Sequence, residues 1–319
     1  MTEGPSLGVF GRRRRDGTDN LGLLNFSRTR TYMSVASPES SATAQTWSHL
    51  GLPPFLRWAG GKRWLVSYVE ELTAGVQIRN YHEPFAGGAA VFLGIDFGGH
   101  SYLSDLNADL IETYAAVRDA PEDVWKRLRR YKNTEEDYYA ARATRPRTSV
   151  NRAARFIFLN HTSFNGLHRV NLRGEYNVPF GYKKSDNRPN LAQLKVASKR
   201  LGSASLLVGD FANALHEVSE GDLVFLDPPY TVAHNSNGFV KYNDRLFLFA
   251  DQERLSASID QVRNRGAYYV MTNAAHASIA ELFEKGDRRV ETSRKNNVGG
   301  RSAARGRATE YLFTNLPIA

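Results

Sequence analysis

The sequence predicts an α/β protein, a Rossmann-like and mainly parallel sheet with a helical segment inserted between its strands. Three observations carry this. A continuous apolar run, Leu223-Val224-Phe225-Leu226, ends abruptly in Asp227-Pro228-Pro229-Tyr230. A strand, a Gly-containing turn and a small-residue helix start succeed one another over 81–92, and the next strand ends in an acid at Asp105. From 121 to 189 the texture changes to basic helices and a long polar, aromatic run, before strand texture resumes at Ser205.

The apolar run suits a central parallel strand covered on both faces. Pro228 and Pro229 cannot donate ladder hydrogen bonds, so the strand stops and Asp227 and Tyr230 sit on a stiff turn at its carboxyl end. Open α/β sheets bind ligands at that end. A carboxylate and the fixed carbonyl of Pro228 can accept both hydrogens of an exocyclic amine while the Tyr230 ring stacks on the base that carries it.

Composition narrows the class. The 319 residues hold 42 Lys+Arg against 33 Asp+Glu, a net charge of +9, and the pI is about 9.7. That balance favours a polyanionic partner, nucleic acid before membrane. Cysteine is absent, which excludes a disulfide framework, a thiolate nucleophile and a Cys-ligated zinc. No apolar run approaches the roughly 20 residues of a membrane span, and Arg12 to Arg15 interrupt any signal-peptide core. The expectation is a cytoplasmic monomer without metal.

Residues 1–50 are rich in Ser, Thr, Gly and Arg without sustained period and are expected to form a tail; Met33 offers an alternative start. Order begins at Phe55-Leu56-Arg57-Trp58-Ala59-Gly60-Gly61-Lys62, a loop suited to close backbone approach that opens a helix through Trp64, Leu65, Tyr68, Val69 and Leu72. Lys62 supplies a point charge there. The turn Glu83-Pro84-Phe85-Ala86-Gly87 follows the first strand, and Asp105 lies about 20 residues further on, where a carboxylate binds ribose hydroxyls. Leu106, Leu110, Ile111, Tyr114 and Val117 mark an amphipathic helix started by Asp105 or Asn107.

Helices are expected near 125–131 and 138–144, and a short apolar segment over 153–159. The stretch 160–181 follows, with Lys183 and Lys184 behind it. It is turn-rich and dense in Asn and Arg, which read adenine and guanine by paired hydrogen bonds. Ser205–Asp210 is another strand ending in an acid, 250–262 a helix, 267–273 a strand and 275–283 a helix. Arg288–Thr292 and Thr309–Thr314 are expected to pair as a closing hairpin around a basic loop, Arg294 to Arg301 with Arg305 and Arg307, that suits a phosphate clamp.

Four blocks in one order, Phe-Leu-Arg-Trp-Ala-Gly-Gly-Lys at 55–62, Glu-Pro-Phe-Ala-Gly-Gly-Ala at 83–89, Asn-Gly-Leu-His-Arg-Val-Asn-Leu-Arg-Gly-Glu-Tyr-Asn-Val-Pro-Phe-Gly at 165–181 and Asp-Pro-Pro-Tyr at 227–230, make the chain resemble the Dam-type DNA adenine N6-methyltransferases. The resemblance covers about 55–315. It implies a seven-stranded methyltransferase sheet, built from 51–120 and 191–319, with a helical target-recognition domain at 121–190. By the same resemblance Trp58, Lys62 and Asp105 bind S-adenosyl-L-methionine, with Glu83, Phe85, Gly87, Asp210 and Asp227 around it. Asp227, Pro228, Pro229 and Tyr230 hold a flipped adenine of double-stranded DNA. Arg57, Phe164, Asn165, Leu167, Arg169, Asn171, Pro179, Lys183, Lys184, Arg301 and Arg305 face the DNA.

Three positions depart from the family pattern. Its Phe-x-Gly-x-Gly turn has Gly88 followed by Ala89 here, a change expected to be tolerated. Phe164 stands where relatives often carry Tyr. The Arg that GATC-reading relatives often have before the aromatic-Lys-Lys is missing ahead of Tyr182-Lys183-Lys184, which counts against GATC itself; the expected target is a short duplex site, GATC or related. The alternatives are a cytosine-N4 or RNA methyltransferase, or a DNA-binding protein that has lost catalysis.

Overall fold

Seven strands form one sheet in the order β3-β2-β1-β4-β5-β7-β6. They are β1 (Tyr81–Glu83), β2 (Ser101–Asp105), β3 (Ala204–Val208), β4 (Leu223–Leu226), β5 (Tyr268–Ala274), β6 (Arg288–Lys295) and β7 (Arg307–Thr314). A computed structural model describes residues 51–230, 247–295 and 307–317. β1 to β5 are parallel, whereas β7 runs antiparallel between β5 and β6.

The apolar run of β4 has a simple cause. Leu223 and Phe225 enter the core on one face of the sheet, and Val224 and Leu226 enter the core on the other. A strand with two buried faces has no solvent side to mark with polar residues. Chain order reverses between β1 and β4, which lie side by side. Adjacent connections therefore leave in opposite directions and open a crevice at the carboxyl ends of these two strands.

Ten helices surround the sheet among the described residues: α1 (Val66–Thr73), α2 (Ala90–Gly94), α3 (Ala108–Asp119), α4 (Pro121–Leu128), α5 (Glu135–Ala143), α6 (Ser149–Thr162), α7 (Leu191–Leu201), α8 (Phe211–Ala214), α9 (Phe249–Asn264) and α10 (Ala277–Leu282). Six of their starts are capped by side chains that satisfy otherwise unpaired N–H groups. Asn107 accepts from Leu110 N–H at the start of α3, and Asn190 with Gln193 forms a capping box on α7. The core beneath α4–α6 is continuous with one face of the sheet: Val124, Tyr138, Phe156 and Phe158 join the same buried cluster as Phe92 and Leu103.

Two expectations change. The apolar segment 153–159 is the middle of the 14-residue α6, which Thr148 caps and begins before Ala153. Arg294, Lys295 and Arg307 belong to β6 and β7 rather than to a loop, because the antiparallel register extends to Lys295 opposite Arg307. Arg301, Arg305 and the tail 1–50 lie outside the described residues.

The departure at Ala89 also has a structural reading. Its backbone is left-handed, φ 48° and ψ 43°, which costs an L-residue about 1–2 kcal/mol. Its methyl is buried in the core, a gain of about 0.8 kcal/mol, and Ala orders less chain than Gly on folding. These terms offset one another. Ala89→Gly should therefore change the unfolding free energy by less than about 1 kcal/mol. Ala89→Val, β-branched at positive φ, should cost at least about 2 kcal/mol in a urea melt.

Candidate active site

Pro228 and Pro229 end the β4 ladder, so Asp227 leaves the sheet on stiff backbone. Its carboxylate is held from two directions. Thr272 on β5 donates its hydroxyl to Oδ1 at 2.8 Å, and Lys62 Nζ lies 2.7 Å from the same oxygen. Lys62 is only 3% exposed. It donates to the Gly60 carbonyl at 3.0 Å, stands 3.9 Å from Glu310 Oε2 and lies 5.1 Å from the centre of the Tyr230 ring. Burial pushes the Asp227 carboxyl up, and Lys62 and then the Thr272 hydroxyl pull it back. The proline turn is braced from α9: Gln252 donates to the Pro229 carbonyl at 3.4 Å, and its own oxygen accepts from Asn273 at 3.0 Å.

Across the crevice the β1 turn forms a glycine cradle. A Cβ on Gly87 would stand 2.8 Å from Trp58 Cδ1, and one on Gly88 would stand 3.1 Å from Trp58 Cβ. Glycine is what lets the turn approach the indole. Asp105 Oδ2 accepts from Gly87 N–H at 3.0 Å and Oδ1 accepts from Asn107 N–H at 2.9 Å. Tyr114 donates to the Gly87 carbonyl at 2.7 Å. Burial raises the Asp105 carboxyl against the pull of these backbone N–H groups. By contrast a Cβ on Gly60 would meet nothing within 4 Å, so close approach belongs to Gly87, while Gly60 serves its positive φ of 79°.

Phe85 stacks on Phe211 at 5.3 Å and meets Phe247 edge-on at 5.8 Å. Asp210 lies just past β3 and caps α8 through Ala212 N–H at 3.0 Å, while the same oxygen accepts from Arg254 at 2.7 Å. Glu83, fully buried behind the cradle, accepts the Tyr81 hydroxyl at 2.8 Å and Phe92 N–H at 3.3 Å. Burial pushes its carboxyl up to about 8, with Asp227 and Asp105 adding to the rise against these two donors.

The segment after α6 is a folded platform. Phe164 N–H donates to the Pro179 carbonyl at 2.9 Å, and Phe164, 44% exposed, is carried outward by the left-handed backbone of Asn165 and Gly166. Gly166 packs on the Arg57 side chain, where a Cβ would stand 2.9 Å from Arg57 Cβ. Asn160 grips Arg57 by its N–H at 2.7 Å and its carbonyl at 2.6 Å. The structure thus brings Arg57, Phe164, Asn165 and Leu167 together. Arg169 Nε donates to Asn177 Oδ1 at 2.6 Å. Asn171 Oδ1 accepts from Arg173 and Glu175 N–H, so its side chain closes the hairpin tip. Lys183 Nζ donates to the His161 carbonyl at 2.9 Å, and burial and then Arg57 lower its pKa to about 8. Pro179 and Lys184 are exposed.

Thr272, Gln252 and Asn160 complete these arrangements and carried no local signal in the sequence, whereas Asn107 caps α3 as its place ahead of the helical pattern suggests. Among the described residues no group of three or more His, Asp or Glu gathers to hold a metal ion, and no helix is long and apolar enough to cross a membrane.

Five parallel strands with an antiparallel β7 between β5 and β6 make the sheet of a Rossmann-like methyltransferase, and the Asp-Pro-Pro-Tyr turn sits at its switch point. The chain belongs to the D12 class N6 adenine-specific DNA methyltransferases, whose family model matches residues 58–298. It is 30% identical over 277 residues to the type II methyltransferase M1.LlaDCHI of Lactococcus lactis subsp. cremoris, a match covering 83% of this chain and 96% of that protein. Identity to the type II methyltransferase M.MjaIII of Methanocaldococcus jannaschii is 34%, covering 72% of this chain and 88% of the relative. The DNA adenine methylase of Escherichia coli K12 is 29% identical, covering 82% and 95%.

Glu83 gives a test of the site's electrostatics. Its folded pKa of about 8 lies above the ordinary 4.5. The stability it contributes is therefore complete below the unfolded value and is lost as pH rises through about 8. Glu83→Gln removes that loss. Melting temperatures of the ligand-free protein from pH 5 to 9 should diverge in favour of the variant as pH rises, whereas a gap independent of pH would contradict the assignment.

Proposed function

We propose that the enzyme transfers a methyl group from S-adenosylmethionine to the N6 amino group of an adenine flipped out of a short duplex site, GATC or a related one. One observation carries this reading. The corner between Asp227 and Tyr230 already seats an amine, since the Lys62 ammonium lies 2.7 Å from the carboxylate and 5.1 Å from the centre of the ring. An exocyclic amino group asks for the same two partners, an anionic acceptor and a π-face.

The residues across the crevice fit the methyl donor. Asp105 is an anchored carboxylate at the carboxyl end of β2, suited to a ribose diol. The Gly87 turn leaves no side chain between backbone and Trp58, and the Phe85–Phe211 pair offers an apolar slot for a purine beside the capped Asp210. When bound, S-adenosylmethionine supplies an electrophilic methyl on its sulfonium sulfur.

The chain's own residues do the rest. The target adenine leaves the duplex at a cost of a few kcal/mol, and stacking on Tyr230 offsets on the order of 1–3 kcal/mol of it. Asp227 and the Pro228 carbonyl accept the two amino hydrogens and aim the nitrogen lone pair across the crevice. As the nitrogen gains the methyl, whose bond to sulfur breaks to leave a neutral thioether, the Asp227 carboxylate stabilises its positive charge, Thr272 keeps that carboxylate oriented, and one amino proton is then lost to solvent. Lys62 must leave the amine seat for this, and Glu310 and the Gly60 carbonyl keep it paired beside the site. Positioning supplies much of the acceleration.

Residues 121–190 serve as the recognition domain. Phe164 wedges into the stack, Asn165, Leu167, Arg169 and Arg57 face base edges, and Asn171, Pro179, Lys183 and Lys184 support or flank the strand. Arg301 and Arg305 clamp phosphate, which makes binding fall steeply with salt.

Asp227→Ala should abolish labelled methyl transfer to unmethylated DNA while the dissociation constant for that DNA stays within about threefold of wild type. Turnover near the wild-type rate in this variant would remove the assignment. Lys62→Ala leaves Asp227 and Glu310 without their shared cation and should destabilise the protein by about 3–5 kcal/mol, read in a urea melt.

A further inference from the structure

His168 sits one residue before Arg169 and is packed from four directions. Its ring lies nearly parallel to the Trp58 indole, 5.7 Å away at 18°. Phe156 lies 5.2 Å away and Tyr176 meets it edge-on at 5.5 Å. On its remaining side Asn107 Nδ2 lies 3.3 Å from Nδ1. The Asn107 amide oxygen is committed to Leu110 N–H, so the NH2 end faces the imidazole. Nδ1 must then accept, which requires a neutral ring with its proton on Nε2. Burial, with Arg155 nearby, holds the His168 pKa down to about 4, consistent with that tautomer at neutral pH.

These contacts reach every part of the glycine cradle. Trp58 neighbours both His168 and the Gly87–Gly88 turn. Asn107 donates its backbone N–H to the Asp105 carboxylate, whose other oxygen holds Gly87. In the other direction the chain runs straight into Arg169, whose guanidinium is steadied by Asn177. One half-buried imidazole therefore touches both the ring and the helix cap that frame the cradle, one residue before Arg169 at the root of the hairpin.

We propose that His168 is a positioning residue that couples the methyl-donor pocket to the recognition hairpin, so that donor binding at Trp58 and Asp105 orders Arg169 for its site in DNA. This rests on the donor and DNA reading given above. Filling the cradle fixes Trp58 and the Asp105–Asn107 pair. Both hold His168, so Arg169 then has less freedom to lose when it meets a base edge. Binding linked through lost freedom is reciprocal: the correct DNA site tightens the donor by the same factor. DNA without the site engages phosphate contacts and not Arg169, so it gains nothing.

The test measures binding, not turnover. Affinity is determined for a duplex carrying the site that the enzyme methylates and for one lacking it, each with and without S-adenosylhomocysteine. In the wild type the ligand should tighten the specific duplex about fivefold or more and leave the other unchanged. His168→Ala should bring that ratio to within twofold of unity. His168→Phe keeps an aromatic ring on Trp58 but cannot accept from Asn107. It guards against misfolding of the alanine variant and should lose most of the ratio as well. A merely structural residue would weaken both affinities and leave their ratio intact. A wild-type ratio in either folded variant, or no ratio in the wild type, overturns the coupling. A wild type that binds neither ligand overturns the proposed function itself, and the coupling with it.

Discussion

The site depends on one carboxylate kept ionisable in a crevice that favours its neutral form. Asp227 is pushed toward protonation by burial and drawn back by Lys62 and Thr272. Without those two partners burial would push this carboxyl further toward its neutral form, a poorer acceptor for an amine that becomes cationic. The partners lie far apart in the chain, Lys62 on a loop before the first helix and Thr272 on β5, the strand beside β4. The sheet order matters chiefly because it brings them to one corner.

Three carboxyl groups share this edge: Glu83, Asp105 and Asp227. The protein separates their tasks by environment rather than by spacing. Glu83 is sealed in and neutral up to about pH 8, where it ties β1 to α2 through Phe92 N–H. Asp105 is bound to backbone N–H groups and holds the glycine turn in place. Asp227 has the Lys62 ammonium beside it, in the seat proposed for the substrate's amine. The Lys62–Asp227 pair, with the lysine buried, lies where chemistry on an amine is proposed, while pairs such as Arg254 with Asp210 lie at the surface.

Much of this was legible in the sequence, for physical reasons. A strand buried on both faces has to be apolar throughout, and two prolines have to end it; each constraint acts within a few residues. The sheet, its closing hairpin and the Asp227 corner follow from such local rules. Thr272, Gln252 and Asn160 left no trace, because a single hydroxyl or amide gains its role from a partner 45, 23 or 103 residues away. Asp210 could be seen as an acid after a strand, but its helix cap and its pairing with Arg254 depend on α9, far along the chain. The extent of α6 was hidden because Arg152 and Arg155 interrupt its apolar face, although both pair on its flanks. The Gly60–Gly61 pair suggested close approach, which holds for Gly61 against the Trp58 carbonyl, but the indole itself is met by Gly87, since only the fold decides which glycine a ring will meet.

The most direct measurement is a sequence-resolved map of modified bases after the enzyme acts on unmethylated duplex DNA with S-adenosylmethionine. The account predicts N6-methyladenine, confined to one short site, and none of it with Asp227→Ala. N4-methylcytosine, or transfer to RNA in place of duplex DNA, would contradict it.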